Sequence, residues 1–172
     1  MAEPRPERPY MPDYGVQASS AWNPLAWSWA AERLVANRNY WVVTASGEGR
    51  PHALPVWGVW DDGEGAFAFS CGPHSRKARN IAANPAVVVM TDDTVECVSV
   101  EGRAAAVQDD GRTATWIGRY LAKYQPISPE LTGEFLSANL LVEVDAERAF
   151  GVIERAVEFT TRPTRWVFDE RP

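Results

Sequence analysis

The chain has 172 residues, 45% hydrophobic and 23% charged, which is enough for one well-buried core and too little to need two. A formal net charge of −6 speaks against a sequence-independent nucleic-acid binder, which needs a basic face, and no run is long and apolar enough to span a bilayer. The N-terminus is Pro- and Arg-rich with no apolar run behind it, so neither an anchor nor a secretory signal is expected; the expected address is the cytoplasm, with Cys71 and Cys97 as thiols. Residues 1–23 carry Pro4, Pro6, Pro9 and Pro12 and read as an extended arm, either disordered or laid over another surface. A first helix follows, with Asn23 as N-cap, Pro24 at its first position, and Leu25, Trp29 and Leu34 along it. Residues 39–46 read as a strand, and Gly47-Glu48-Gly49 turns the chain back into a second over 51–60. The turn at 61–65 leads into a third strand over 66–70, which makes a meander. A helix is predicted over 76–83, stopped by Asn84-Pro85. Residues 86–91, with Val87, Val88 and Val89 at their centre, read as a strand buried on both faces, antiparallel to a long strand over 95–107 interrupted at Gly102. Asp109-Asp110-Gly111 opens a second helix through Tyr124, with Trp116, Ile117, Tyr120 and Leu121 on one face. Strands over 139–144, 150–153 and 164–168 complete the chain. Strands outnumber helices and no βαβ alternation occurs, so the expected fold is mainly β: a closed or partly closed antiparallel barrel with a few flanking helices.

The helix predicted over 76–83 starts with the wrong charge. Arg76, Lys77 and Arg79 stand in its first turn with no acid among them, although unpaired amides and the helix dipole favour anions there. An anion from outside would reverse the sign, because backbone N–H groups, the Ser75 hydroxyl and the cations would converge on it, as at a phosphate site. A solvated surface turn with snorkelling cations is the other reading. Pro51 and Pro55 each lack a ladder donor, which places their strand at an edge, at a bulge or against a ligand. The eight tryptophans suit a core, a subunit interface or a ring-stacking pocket, and packing is the favoured reading for any one of them.

The order of pieces is recognisable: Arg50-Pro51-His52-Ala53-Leu54-Pro55-Val56-Trp57, then Phe69-Ser70, then Ser75-Arg76-Lys77-Ala78-Arg79-Asn80, then two long strands. This resembles the split β-barrel family of pyridoxamine 5′-phosphate oxidase, and most closely its actinobacterial branch that uses the deazaflavin coenzyme F420. The likeness runs from Tyr10 to about Val107 and resumes at Pro163-Thr164-Arg165-Trp166. The Ser-Arg-Lys triplet is common to flavin and deazaflavin members; the surroundings of Tyr40–Thr44 and Pro55–Trp60 are more like the deazaflavin branch. The resemblance implies that residues 24–172 form a split-barrel coenzyme-binding domain in which Ser75, Arg76 and Lys77 hold the coenzyme phosphate, with Asn80 nearby. It puts Ser70 at the ribityl chain and Pro55, Val56 and Trp57 along the tricyclic ring, their backbone groups facing its polar edge. Arg165 and Trp166 would reach the site across a homodimer interface. Arg79, Arg50, Arg5 and Arg8 are the cations available to the acidic tail of the deazaflavin.

The implied activity is hydride transfer between the deazaflavin and a small organic substrate. The alternatives are an FMN-dependent oxidase or reductase of the same fold, and a flavin- or haem-binding module without turnover. The coenzyme carries the hard step in such proteins, so the absence of a nucleophile elbow or a triad fits. No catalytic residue is assigned: His52, His74, Tyr40 or water could supply a proton, and they stay unranked. Cys71, His74, Cys97 and His52 are all the Cys and His in the chain, but their spacing lacks the two close pairs of a closed zinc site, and no metal is expected.

Overall fold

Among residues 3–16 and 21–169, which the computed structural model describes, nine strands form one antiparallel sheet. They are β1 (Arg5–Glu7), β2 (Tyr40–Ala45), β3 (Pro51–Val56), β4 (Gly58–Asp61), β5 (Ala66–Cys71), β6 (Ala86–Thr91), β7 (Glu96–Ala106), β8 (Leu140–Ile153) and β9 (Thr164–Val167). The helices are α1 (Trp27–Ala36), α2 (Arg76–Ala83), α3 (Asp110–Tyr124), α4 (Gly133–Ser137) and α5 (Ala156–Thr161). Strand order runs β1-β9-β8-β7-β6-β2-β3, while the first half of β8 also pairs with β5, and β5 with β4. Val56 ends β3 opposite Tyr40, and Gly58 begins β4 opposite Phe69. The chain therefore changes partner at Trp57 and closes a barrel that is split between β3 and β4. This is the split antiparallel barrel with flanking helices expected from the sequence.

Side-chain alternation sets what lies inside. Tyr40, Val42 and Thr44 of β2, Val87, Val89 and Thr91 of β6, and Val98 and Val100 of β7 are buried, whereas their neighbours point outward. β5 is buried on both faces and solves this by size: Phe67 and Phe69 fill the barrel, while Ala66 and Ala68 let α3 approach the other side. Gly102 sits at the register shift between β7 and β8, where a Cβ would stand 2.1 Å from the Asp145 carbonyl oxygen. Trp27, Trp60, Trp116 and Trp166, half of the eight tryptophans, are core residues.

Several expectations need correction. The first helix starts at Trp27, not Pro24, and Ala26 precedes it without a side-chain cap. Asn23 and Leu25 instead bond to the Thr161 carbonyl and the Thr164 hydroxyl, so tertiary contacts outweigh the local capping signal. The strand predicted over 51–60 is two strands with different partners, and those predicted over 139–144 and 150–153 are one, because β7 templates β8 along its whole length. β6 is not covered on its outer face: Val88 and Met90 are half-exposed there, since no helix lies over it. Within the arm, Arg5–Glu7 pairs with β9 as an edge strand; residues 1, 2 and 17–20 of the arm lie outside the described residues.

Candidate functional site

α2 begins beside the split. The Ser75 hydroxyl oxygen accepts the Ala78 N–H at 3.2 Å as N-cap, which leaves its own proton to donate. No acid stands in the first turn. Arg79 turns back and donates to the His74 carbonyl at 2.5 Å. Asn80 is buried and donates its amide to the Thr44 hydroxyl at 2.9 Å, which ties α2 to β2 and gives this residue an anchoring place rather than a ligand-facing one. His52, on β3, has a pKa below its ordinary 6.5, first from desolvation and then from the nearby Arg76 and Lys77 cations.

A cleft of about 360 Å³ opens where the barrel is split, and Pro55, Val56, Trp57, Ser70, Ser75 and Lys77 all line it. The structure thus gathers on one cleft six residues from three separate segments: residues 55–57, Ser70 and the start of α2. The wall facing them was not legible in the sequence: Tyr120 from α3, Leu131, and Phe135, Leu136 and Asn139 at α4. Tyr120 reads as one more apolar-face residue of a helix. α4 announces itself only by Thr132, whose hydroxyl caps the Phe135 N–H at 3.1 Å.

Polar side chains of α3 satisfy the backbone at the split. The Tyr120 hydroxyl donates to the Trp57 carbonyl at 2.5 Å and is itself faced by the Ser70 backbone N–H from the other lip. The Tyr124 hydroxyl accepts the Gly58 N–H at 2.8 Å and lies 2.8 Å from both the Gly58 and Arg38 carbonyls. Lys123 donates to the Gly58 carbonyl at 3.1 Å and to the Tyr40 hydroxyl at 2.7 Å. Trp57 stacks flat on Tyr124, with ring centroids 4.6 Å apart and 4° between planes. Burial raises Tyr40 and Tyr120 well above the ordinary tyrosine range and Tyr124 to about 12, and lowers Lys123 to about 8.

Other expected residues lie elsewhere. Arg76 is exposed and faces His52 but does not line the cleft. Trp166 is wholly buried against Trp27, so its indole has no face to offer a ligand, and the expectation that it reaches the site is corrected. Arg165, next to it, points to the other side of β9 into a separate hollow of about 420 Å³ shared with Tyr10, Arg148 and Phe150. The Trp57 carbonyl already accepts one hydrogen bond, from the Tyr120 hydroxyl. Tyr40 is also removed from the proton-donor candidates, because it is buried and donates to the Leu34 carbonyl. Arg5 pairs with Glu7 at 2.6 Å and Arg8 lies over Trp22, both at the sheet edge opposite β3, away from the same chain's cleft. No cluster of three or more His, Cys, Asp or Glu side chains able to hold a metal occurs among the described residues.

A model of the pyridoxamine 5′-phosphate oxidase family matches residues 30–153, and the chain belongs to that family. No curated protein matches it in sequence. Among solved structures it is similar to a conserved hypothetical protein of Mycobacterium tuberculosis, with 19% identity, TM-score 0.66, and coverage of 81% of this chain and 91% of that one. It is also similar to an F420 reductase, at 24% identity and TM-score 0.55 over 69% and 93% of the two chains. A FAD-binding protein of Mesorhizobium loti shares the fold at 18% identity and TM-score 0.58 over 84% and 96%. At such identities these likenesses carry the fold alone. Among the described residues, no helix is long and apolar enough to cross a membrane.

Proposed function

We propose that this chain is an oxidoreductase that binds the deazaflavin coenzyme F420 in the cleft at the split and reduces a small organic substrate with it. The observation that carries this reading is the convergence of the acid-free start of α2, Ser70 and the Pro55–Trp57 segment on one cleft. Those groups fit a phosphate joined to a flat ring. Ser75, Lys77 and the first-turn amides form the anion end, and Trp57, Tyr120, Leu131 and Leu136 form the apolar end. When bound, the coenzyme supplies the hydride. The chain's own residues hold the phosphate, orient the ring and exclude water; His52, neutral beside Arg76 and Lys77, and exposed His74 remain available to move a proton. The listing towards the deazaflavin over FMN comes from the likeness of Tyr40–Thr44 and Pro55–Trp60 to that branch, with the F420 reductase among the structural relatives in support.

The active form in this reading is a cytoplasmic homodimer with two-fold symmetry. Pro55, Trp41, Met90, Ser99, Phe150 and Arg165 are successive partners across six strands, so they share one outer face of the sheet. That face is apolar at the β3 side, where Trp41 is 44% exposed, and carries Arg165 at the other. A two-fold pairing over it brings the Arg165 hollow of one protomer toward the cleft of its partner. Light scattering that finds a monomer at micromolar concentration with full coenzyme affinity refutes the dimer.

Titrating the purified protein with coenzyme F420 and with FMN tests the function. Tighter binding of the deazaflavin, weakening as ionic strength rises, and oxidation of its reduced form by an acceptor are expected. Stoichiometric FMN that survives purification, without deazaflavin binding, moves the chain to the flavin reading. A protein that copurifies with flavin or haem and turns nothing over is a binding module.

A further inference from the structure

Lys123 is a half-buried ammonium with no carboxylate paired to it among the described residues; desolvation alone drives its shift. A lysine in the last turn of a helix ordinarily points to solvent and complements the dipole. This one turns inward and joins two strands that do not pair with each other. The Tyr40 hydroxyl belongs to β2 on one side of the split, and the Gly58 carbonyl belongs to β4 on the other. The ammonium also lies 4.8 Å from the Tyr40 ring centroid and 5.5 Å from that of Tyr124. Gly58 follows Trp57 directly, and the Trp57 indole rests on the Tyr124 ring.

We propose that Lys123 is a positioning residue that braces the split in the barrel, setting the place of Trp57 and hence the ring end of the cleft without touching the ligand. The ligand it serves is the flat ring of the coenzyme, so this part rests on the function proposed above; the brace itself does not. The groups facing Lys123 are Tyr40 from β2, Tyr124 from α3 itself, and the backbone of Gly58. Arg38 acts on Tyr124 and Asp92 on Tyr40 from the flanking loops. Burial holds the tyrosines protonated above their ordinary range, so between pH 7 and 9 the proton that leaves this group is the one on Lys123. Its hydrogen bonds and its attraction to both tyrosine rings weaken when the proton leaves. The shift of Lys123 to about 8 places that loss of charge just above neutrality, and because a solvated Lys123 returns to its ordinary 10.5, opening of the split takes up a proton and is opposed as pH rises.

The test compares the unmodified protein with Lys123→Met and Lys123→Arg, using coenzyme F420, FMN and inorganic phosphate as probes. Lys123→Met should lose about tenfold in affinity for whichever coenzyme binds, keep its phosphate affinity, and lose the pH dependence of coenzyme affinity that the unmodified protein shows between about pH 7 and 9; Lys123→Arg should recover most of the affinity. Amide hydrogen exchange at Gly58 is read without ligand: in the unmodified protein its protection factor should rise over the same pH range, because an opening that solvates Lys123 takes up a proton. Equal coenzyme affinity and pH profile in Lys123→Met overturns the proposal. If that variant does not fold, a Gly58 protection factor independent of pH in the unmodified protein overturns it equally. If neither coenzyme binds the unmodified protein, the functional reading fails, while the protection factor still decides the brace.

Discussion

Lys77 and Lys123 stand on two helices that flank the same cleft, and they are held in opposite ways. Lys77 lies in the first turn of α2, where the dipole repels it, and makes no ion pair among the described residues. Lys123 lies in the last turn of α3, where the dipole favours it, yet it is drawn inward onto Gly58 and Tyr40. In the proposed function a cation left unpaired at an open cleft serves an external anion, whereas a cation whose donors end on backbone and hydroxyl oxygens belongs to the architecture. In that reading one end of the cleft acts on the ligand and the other on the barrel.

The largest effect separating the two ends is expected at Lys77. Lys77→Ala should weaken coenzyme binding by about 1.5–3 kcal/mol, the worth of a charge-assisted hydrogen bond, with thermal stability unchanged. Unaltered affinity in a titration of this variant would erase the contrast with Lys123. At the architectural end the converse is expected. A Cβ on Gly58 meets the Phe67 ring at 2.1 Å, so Gly58→Ala should lower unfolding free energy by about 1–3 kcal/mol in urea denaturation. Full stability in that variant would mean that the split tolerates repacking. Ser75→Ala should show both effects in smaller measure, losing about 1 kcal/mol of stability with the cap and also some coenzyme affinity. A loss in stability alone would make Ser75 a cap and nothing more.

The smallest effect is the pH dependence of stability, because Lys123 is only partly buried and solvent screens it. Its folded-state pKa of about 8 lies below its ordinary 10.5, so between these values the unfolded chain holds more protons and stability rises with pH. Tyr124, raised to about 12, and Tyr40 and Tyr120 act with the opposite sign above pH 10, where the unfolded tyrosines ionise first and stability falls. Urea midpoints measured from pH 7 to 11 should therefore pass through a maximum near pH 10, and in Lys123→Met the rise below it should vanish.

Local chemistry alone was enough to place α2, whose start and end are written in Ser75 and Asn84-Pro85, and to narrow β3 to an edge, a bulge or a ligand-facing place, of which the structure shows the edge. Proline has no N–H, so Pro51 and Pro55 cannot take part in donor positions of a ladder, and β3 indeed ends the strand path. The cationic helix start was legible for the same reason: the dipole acts within one turn, and one turn is contiguous in sequence. Only tertiary structure decided that β3 and β4 part at Trp57, that Trp166 is core while Arg165 faces outward, and that Tyr120, Lys123 and Tyr124 supply the missing partners of the opened backbone. Those bonds join residues some sixty to eighty positions apart. Periodicity reports which face of a helix is apolar, but a tyrosine hydroxyl or a lysine ammonium finds its acceptor only once a distant strand has broken its ladder beside it.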